Sequence, residues 1–216
     1  MTNEKLLAKL HEIDTDIACQ SIGSEPLDNL IAAVEDEIRT ETANSRGQGN
    51  AMKTAKDILK TSEKGKNDSL KYAYTAPDGF QYVLDGYRLL KLHNPLPLPE
   101  LPGNILPVRY ENIIPHPTNT VKLDLPDPIK LRAYIKIKAS EKVKMPMYDF
   151  GIGLPVVNAK FLLSMIEALP RATVEVEPSS LDYNHKALLF YAENEDFGML
   201  LPIRASEMKN RGKTEL

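Results

Sequence analysis

Twice along this chain, apolar residues at helical spacing give way to three short runs that read as strands. That recurrence narrows the fold more than any single motif does. In the first copy, residues 51–63 place Met52, Ala55, Ile58 and Leu59 on one side of a helix. Strand-like runs follow at 70–75, 80–84 and 87–92, separated by the turn signals Pro77-Asp78-Gly79 and Asp85-Gly86. In the second copy, 148–154 is a strand candidate and 158–169 a helix that buries Phe161, Leu162, Met165, Ile166 and Leu169. Three further runs, 173–176, 187–191 and 199–204, close it. Two such halves predict helices laid against one face of antiparallel sheet, an α+β domain of two helix-plus-three-strand halves.

Between the halves, residues 94–107 alternate with proline and must be extended, outside any sheet interior. Further on, Leu125-Pro126-Asp127-Pro128 reads as a strand exit, an N-cap and a first-turn proline. A helix over 129–142 is therefore expected, with Lys130, Arg132, Lys136, Lys138 and Lys142 on it and Lys144 just beyond. Leu131, Ala133, Ile135 and Ile137 alternate, which keeps a strand open as the alternative; the capping residues favour the helix.

The N-terminus has a different character. The first 45 residues carry ten acidic side chains against three basic ones. Leu6, Leu7, Leu10, Ile13 and Ile17 recur at helical spacing, and a second helix is expected from about Ser24-Glu25-Pro26 through Leu27, Leu30, Ile31, Val34 and Ile38. Asn44 to Asn50, with Gly47 and Gly49, reads as a linker. Residues 1–46 are thus expected to form an acidic helical appendage, either packed as ordinary amphipathic helices or mimicking DNA on a basic surface. Residues 47–205 would be the main domain, with an insertion at about 106–144, and residues 206–216 a tail.

A net charge of -3 excludes a wholly basic nucleic-acid coat but permits a local basic face. Cys19 is the single cysteine, so neither a disulfide framework nor a thiolate metal cluster is expected. Charged residues interrupt the apolar N-terminal positions, and no stretch approaches the roughly 20 apolar residues of a membrane span. The expectation is a cytoplasmic protein that contacts no membrane. The four histidines are scattered, and Gly151-Ile152-Gly153 lacks the rest of a phosphate loop. Ser164 and Cys19 have no adjacent base motif. Neither an enzyme nor a cofactor is expected.

Three stretches resemble one family. Asp85-Gly86-Tyr87-Arg88-Leu89 resembles the Thr-Asp-Gly-Tyr/His-Arg-Leu signature that closes the first half of a domain of the bacterial DNA sliding clamp, the beta subunit of DNA polymerase III. Residues 157–163, running on to Ala168-Leu169-Pro170, look like the helix that opens the second half. The ending Met199-Leu200-Leu201-Pro202-Ile203-Arg204 is similar to the last clamp strand, which reads close to Leu-Met-Pro-Val-Arg. The matches fall in family order and cover about 51–92 and 148–205. Single-domain clamp-like proteins of phages and mobile elements are similar too. A clamp subunit has three such domains, whereas this chain has room for one, so a ring would take about six copies of a homo-oligomer. The stretch from Leu106 to Lys144 has no counterpart there.

The resemblance implies a non-enzymatic accessory protein of DNA replication, whose partners are duplex DNA, replication proteins or clamp-binding peptides. Helices line the DNA channel of clamps, which places Lys53, Lys56 and Lys60, together with the basic Lys130, Arg132, Lys136 and Lys138, as phosphate contacts that read no sequence. A solvated helix face is the plainer account of the same lysines. Carried over from the clamp's peptide groove, Gly86, Tyr87, Arg88, Leu89, Met199, Leu201 and Pro202 would capture an extended peptide. On the alternative account they form a protein-interaction decoy without DNA binding, or simply core strands with Arg88 as a structural ion-pair partner.

Overall fold

The computed structural model describes residues 4–11, 25–63, 65–179 and 185–204. The expected helical positions Ile13 and Ile17, together with Cys19, Lys64 and the tail 206–216, lie outside the described residues. The chain divides into two compact units between Gly49 and Asn50.

The N-terminal unit contains helix α1, residues 4–11, and helix α2, Glu25–Ser45. Leu10 meets Ile31 and Val34, with Leu6, Leu7, Leu27 and Ile38 packed around them, as the apolar spacing requires. Arg39 donates to the Glu35 carboxylate one turn earlier at 3.0 Å. The expected linker is shorter than its composition implies. Gly47 takes a positive φ of 73° and Gln48 N donates to Ala43 O, so helix α3, Gly49–Ser62, starts at once.

In the larger unit, α3 is followed by β1 (Tyr74–Thr75), β2 (Gln81–Leu84) and β3 (Arg88–Leu92). Then come β4 (Val121–Leu123), helix α4 (Pro128–Ser140), and the small hairpin of β5 (Met147–Asp149) and β6 (Val156–Asn158). Helix α5 (Ala159–Ala168), β7 (Thr173–Val176), β8 (Leu188–Tyr191) and β9 (Phe197–Leu200) complete it. All neighbouring strands of the main sheet are antiparallel, in the order β1-β2-β3-β9-β8-β7-β4. The third strand of each half therefore meets the other at the centre, with Leu90 opposite Gly198. Helix followed by three strands recurs as the sequence predicts.

Three local readings shift, each for a visible reason. Within 70–75, Asn67 caps a single 3-10 turn by accepting from Ser69 N, which leaves only Tyr74 and Thr75 for the strand. Within 148–154, Gly151 and Gly153 take positive φ, so the run breaks into a hairpin tip between β5 and β6. In 199–204, Leu201 N still donates to Tyr87 O, but Pro202 has no N–H and Ile203 N turns away to Val156 O. The stretch 106–144, whose placement the sequence leaves open, packs on the domain: β4 pairs with β7, and α4 lies beside α5. Asp127 accepts from Ile129 N and Lys130 N, and that cap decides for helix over strand.

Both faces of the sheet are covered. Leu90, Phe190 and Leu200 alternate onto the face that also carries Gly198, which lies against Met165 of α5 and Leu169 at its C-terminal cap. The opposite face presents Tyr82, Leu84, Leu89, Leu189 and Met199, and over these lies the connection, with Tyr110, Val108, Ile113 and Ile114. Tyr110 stacks between Tyr82 (4.7 Å) and Tyr74 (5.5 Å). The proline-rich segment is clasped at the β1 edge. Gln81 both donates to Leu96 O and accepts from Leu96 N, and the Glu100 carboxylate accepts from Thr75 N, Thr75 Oγ1 and Gln81 Nε2.

Burial, helped by the nearby Tyr74 and Glu100, pushes the Tyr110 phenol up to about 12 from its ordinary 10.0. The folded state then holds a proton that the unfolded chain releases. Its stability contribution is complete below pH about 10 and is lost as pH rises toward about 12. A steeper fall in denaturation midpoint across that window is expected for the native protein than for Tyr110→Phe, measured by circular dichroism.

Candidate functional site

Asp85 starts the construction. Its Oδ1 accepts from Tyr87 N (2.9 Å) and Arg88 N (2.7 Å), and Gly86, at φ 83°, supplies the backbone that the β2–β3 turn needs. The turn aims the Arg88 side chain at the helices. Nε and Nη2 both donate to Asp85 Oδ2 (3.0 and 2.6 Å), while Nη1 donates to Asp57 Oδ2 of α3 at 2.6 Å. Thr61 Oγ1 (3.3 Å) and Ser164 Oγ (3.4 Å) accept from the remaining N–H groups. The guanidinium also lies 4.0 Å from the ring centroid of Phe161. Arg88 thereby joins the central strand to both α3 and α5. The side chains of Arg88 and Asp85 are wholly buried, whereas that of Asp57 is 57% exposed.

Beside this strut, the groove residues from the sequence divide in two. Arg88, Leu89 and Met199 are buried, and a side chain without exposed surface touches no docked peptide unless the surface opens. Tyr87 (52% exposed) and Leu201 (37%) do reach solvent, joined by the Leu201 N to Tyr87 O bond at 2.8 Å, with Gly86 exposed and Pro202 half-buried beside them. The Tyr87 ring sits 5.9 Å from that of Phe161, so Phe161 lies against Tyr87 as well as Arg88.

The basic residues occupy helices that touch one another. Thr54 Oγ1 of α3 donates to Ser164 O of α5 at 3.0 Å, and α4 packs along α5. Helix α3 buries Met52, Ala55, Ile58 and Leu59, which turns Lys53 and Lys60 outward and leaves Lys56 half-exposed. Helix α4 buries Leu131 and exposes Lys130, Arg132 and Lys136. Together α3, α4 and α5 hold eight basic residues and two carboxylates, Asp57 and Glu167. Both carboxylates are engaged, Asp57 by Arg88 and Glu167 by Arg132. Lys138 pairs with Glu141 at 2.9 Å. Lys53, Lys60, Lys130 and Lys136 make no ion pair among the described residues.

The sequence alone did not single out Asp57 or Phe161 as partners of Arg88. They lie 31 and 73 positions from it, and no local pattern ties them together. Ser164 has its Oγ committed, donating to Phe161 O at 2.8 Å while receiving Arg88. Among the described residues, no three of His, Cys, Asp and Glu are grouped to hold a metal ion, and no helix is long and apolar enough to cross a membrane. No protein-family model, curated protein or solved structure matches the chain.

Arg88→Met strands the buried Asp85 carboxylate and is expected to destabilise the fold by about 3–5 kcal/mol. Asp57→Asn, at a solvated position, should change stability by less than about 1 kcal/mol. Urea denaturation of both variants checks the contrast. Equal losses would mean that the burial of Asp85 is not what the arginine offsets.

Proposed function

We propose that this chain is a non-enzymatic, cytoplasmic clamp-like accessory protein of DNA replication that meets duplex DNA with the outward side of α3 and α4. The observation that carries this reading is the bank of eight basic residues on three touching helices, whose two carboxylates are already taken by arginines. Exposed lysines on helix surfaces meet phosphates without reading bases, the contact a sliding or scanning protein needs. The resemblance of residues 85–89, 157–170 and 199–204 to sliding clamps goes with an order of one helix followed by three strands in each half. The β1 edge is already occupied: Ala73 N donates to Pro99 O and Leu101 N to Ala73 O. Closing a ring of copies by strand pairing there would displace that segment, so the reading favours a domain that works singly or on a partner.

Binding to a labelled duplex is expected to weaken steeply with salt. The triple variant Lys53→Glu, Lys60→Glu, Lys136→Glu should lose at least tenfold in affinity and flatten the salt slope, as fluorescence anisotropy would record. Unchanged binding in the variant would remove these helices from the interface.

A second reading rests on the exposed Tyr87 and Leu201. An exposed aromatic side chain beside an exposed aliphatic one suits a short extended peptide, such as the polymerase tails that clamps capture. A clamp-binding peptide is expected to bind, and Tyr87→Ala or Leu201→Ala to weaken it about tenfold by isothermal titration. Both substitutions sit on exposed atoms, so a loss of binding without loss of stability would identify the groove.

A further inference from the structure

Helix α4 carries something that phosphate contact does not call for. Ile129 is 74% exposed and Ile137 56%, and between them the exposed Ala133 completes a row at i, i+4 and i+8. Helix α3 differs: its outward positions, Lys53, Lys56, Asp57 and Lys60, are all polar. The α4 row is not a packing error, since the opposite side of the helix is properly engaged. Leu131 is buried, Tyr134 Oη donates to Met147 O at 2.9 Å, and Arg132 pairs with Glu167 of α5. At 3.6 residues per turn, Lys130 flanks the row on one side and Lys136 on the other.

We propose that the Ile129–Ala133–Ile137 row is a docking ridge for an acidic amphipathic helix of a partner protein. The argument is one of shape and charge. A straight i, i+4 row with a small residue at its middle is the ridge that packs into the groove of another helix. Lysine on both flanks asks for carboxylates on either side of the partner's own aliphatic row. A second copy of α4 is the wrong occupant, because self-pairing would place lysine beside lysine along each flank. A lipid surface fits less well, since the row is one residue wide and has none of the large aromatic side chains that anchor interfacial helices. The proposal goes beyond the DNA reading: a partner helix would share Lys130 and Lys136 with phosphate, whereas the isoleucine row itself is not asked to touch DNA.

The test uses the full chain and synthetic helical peptides with leucine at i, i+4 and i+7 flanked by glutamate, followed by fluorescence anisotropy. A control peptide carries lysine in place of glutamate. The acidic peptides are expected to bind, and Ile129→Gln, Ile137→Gln to weaken them at least tenfold while leaving duplex DNA affinity unchanged. Lys130→Glu, Lys136→Glu should weaken them too and transfer binding to the lysine peptide. Circular dichroism confirms that these surface substitutions leave the fold intact. The proposal is overturned if no acidic peptide binds better than the lysine control, or if the glutamine variant binds equally well. It is equally overturned if that variant instead loses binding to phosphatidylserine-containing vesicles while peptides never bind, which would assign the row to a membrane. Loss of DNA affinity in the glutamine variant would place the row in the DNA interface and overturn its assignment to a protein partner. DNA binding that fails in the native chain while peptides bind would sink the DNA reading alone.

Discussion

A guanidinium with no exposed surface must find partners for all its N–H groups, and at Arg88 those partners come from three separate segments. Asp85 supplies the compensating charge from the adjoining turn, and Asp57 and Thr61 reach in from α3. Ser164 and the face of Phe161 belong to α5. A purely apolar contact between helices and sheet would tolerate sliding by a turn or a strand position. The forked guanidinium does not, because its N–H groups meet acceptors from three segments in fixed directions. Helix register, turn geometry and the approach of the second half are therefore coupled through one side chain.

That coupling also places the exposed features. Tyr87, just before the strand, shares the Phe161 ring with the Arg88 guanidinium and reaches solvent beside Leu201. With α3 fixed by Asp57, Thr61 and the Ser62 hydroxyl bond to Leu84 O, Lys53 and Lys60 have only the outward side left to occupy. The candidate peptide patch and the candidate phosphate surface are thus two outputs of the same internal constraint. On the far side of the sheet, Tyr110 and its neighbours serve a different purpose, covering apolar positions that an uncovered antiparallel sheet would expose.

Much of the fold was legible because it follows from short-range rules. The period of Met52, Ala55, Ile58 and Leu59 gave α3, and Asp127-Pro128 gave the start of α4 against a competing alternation. Asp85-Gly86 marked its turn, and its structural role is now plain: the aspartate bonds two backbone amides and the arginine together. What was not legible depended on distance. Nothing near Tyr110 announces that it will stack on Tyr74 and Tyr82, and nothing near Gln81 announces its grip on Leu96. For the sites, the lysines could be named from composition, but which of them face outward unpaired required the packing of α3 and α4. The burial of Arg88, Leu89 and Met199 required the sheet.

The meeting of β3 with β9 has a consequence for how the chain is made. Leu90 and Gly198 are partners, yet more than a hundred residues of synthesis separate them. Until β9 leaves the ribosome, β3 is paired on its β2 side alone, with the apolar Leu89 and Leu90 at an open edge. The nascent chain thus passes through a stage in which its most adhesive edge is complete but unmatched, and that stage lasts several seconds or more at ordinary rates of elongation of about 5–20 residues per second. Centre-last assembly of this kind makes the centre of the sheet wait for β9, the strand that both β3 and β8 pair with.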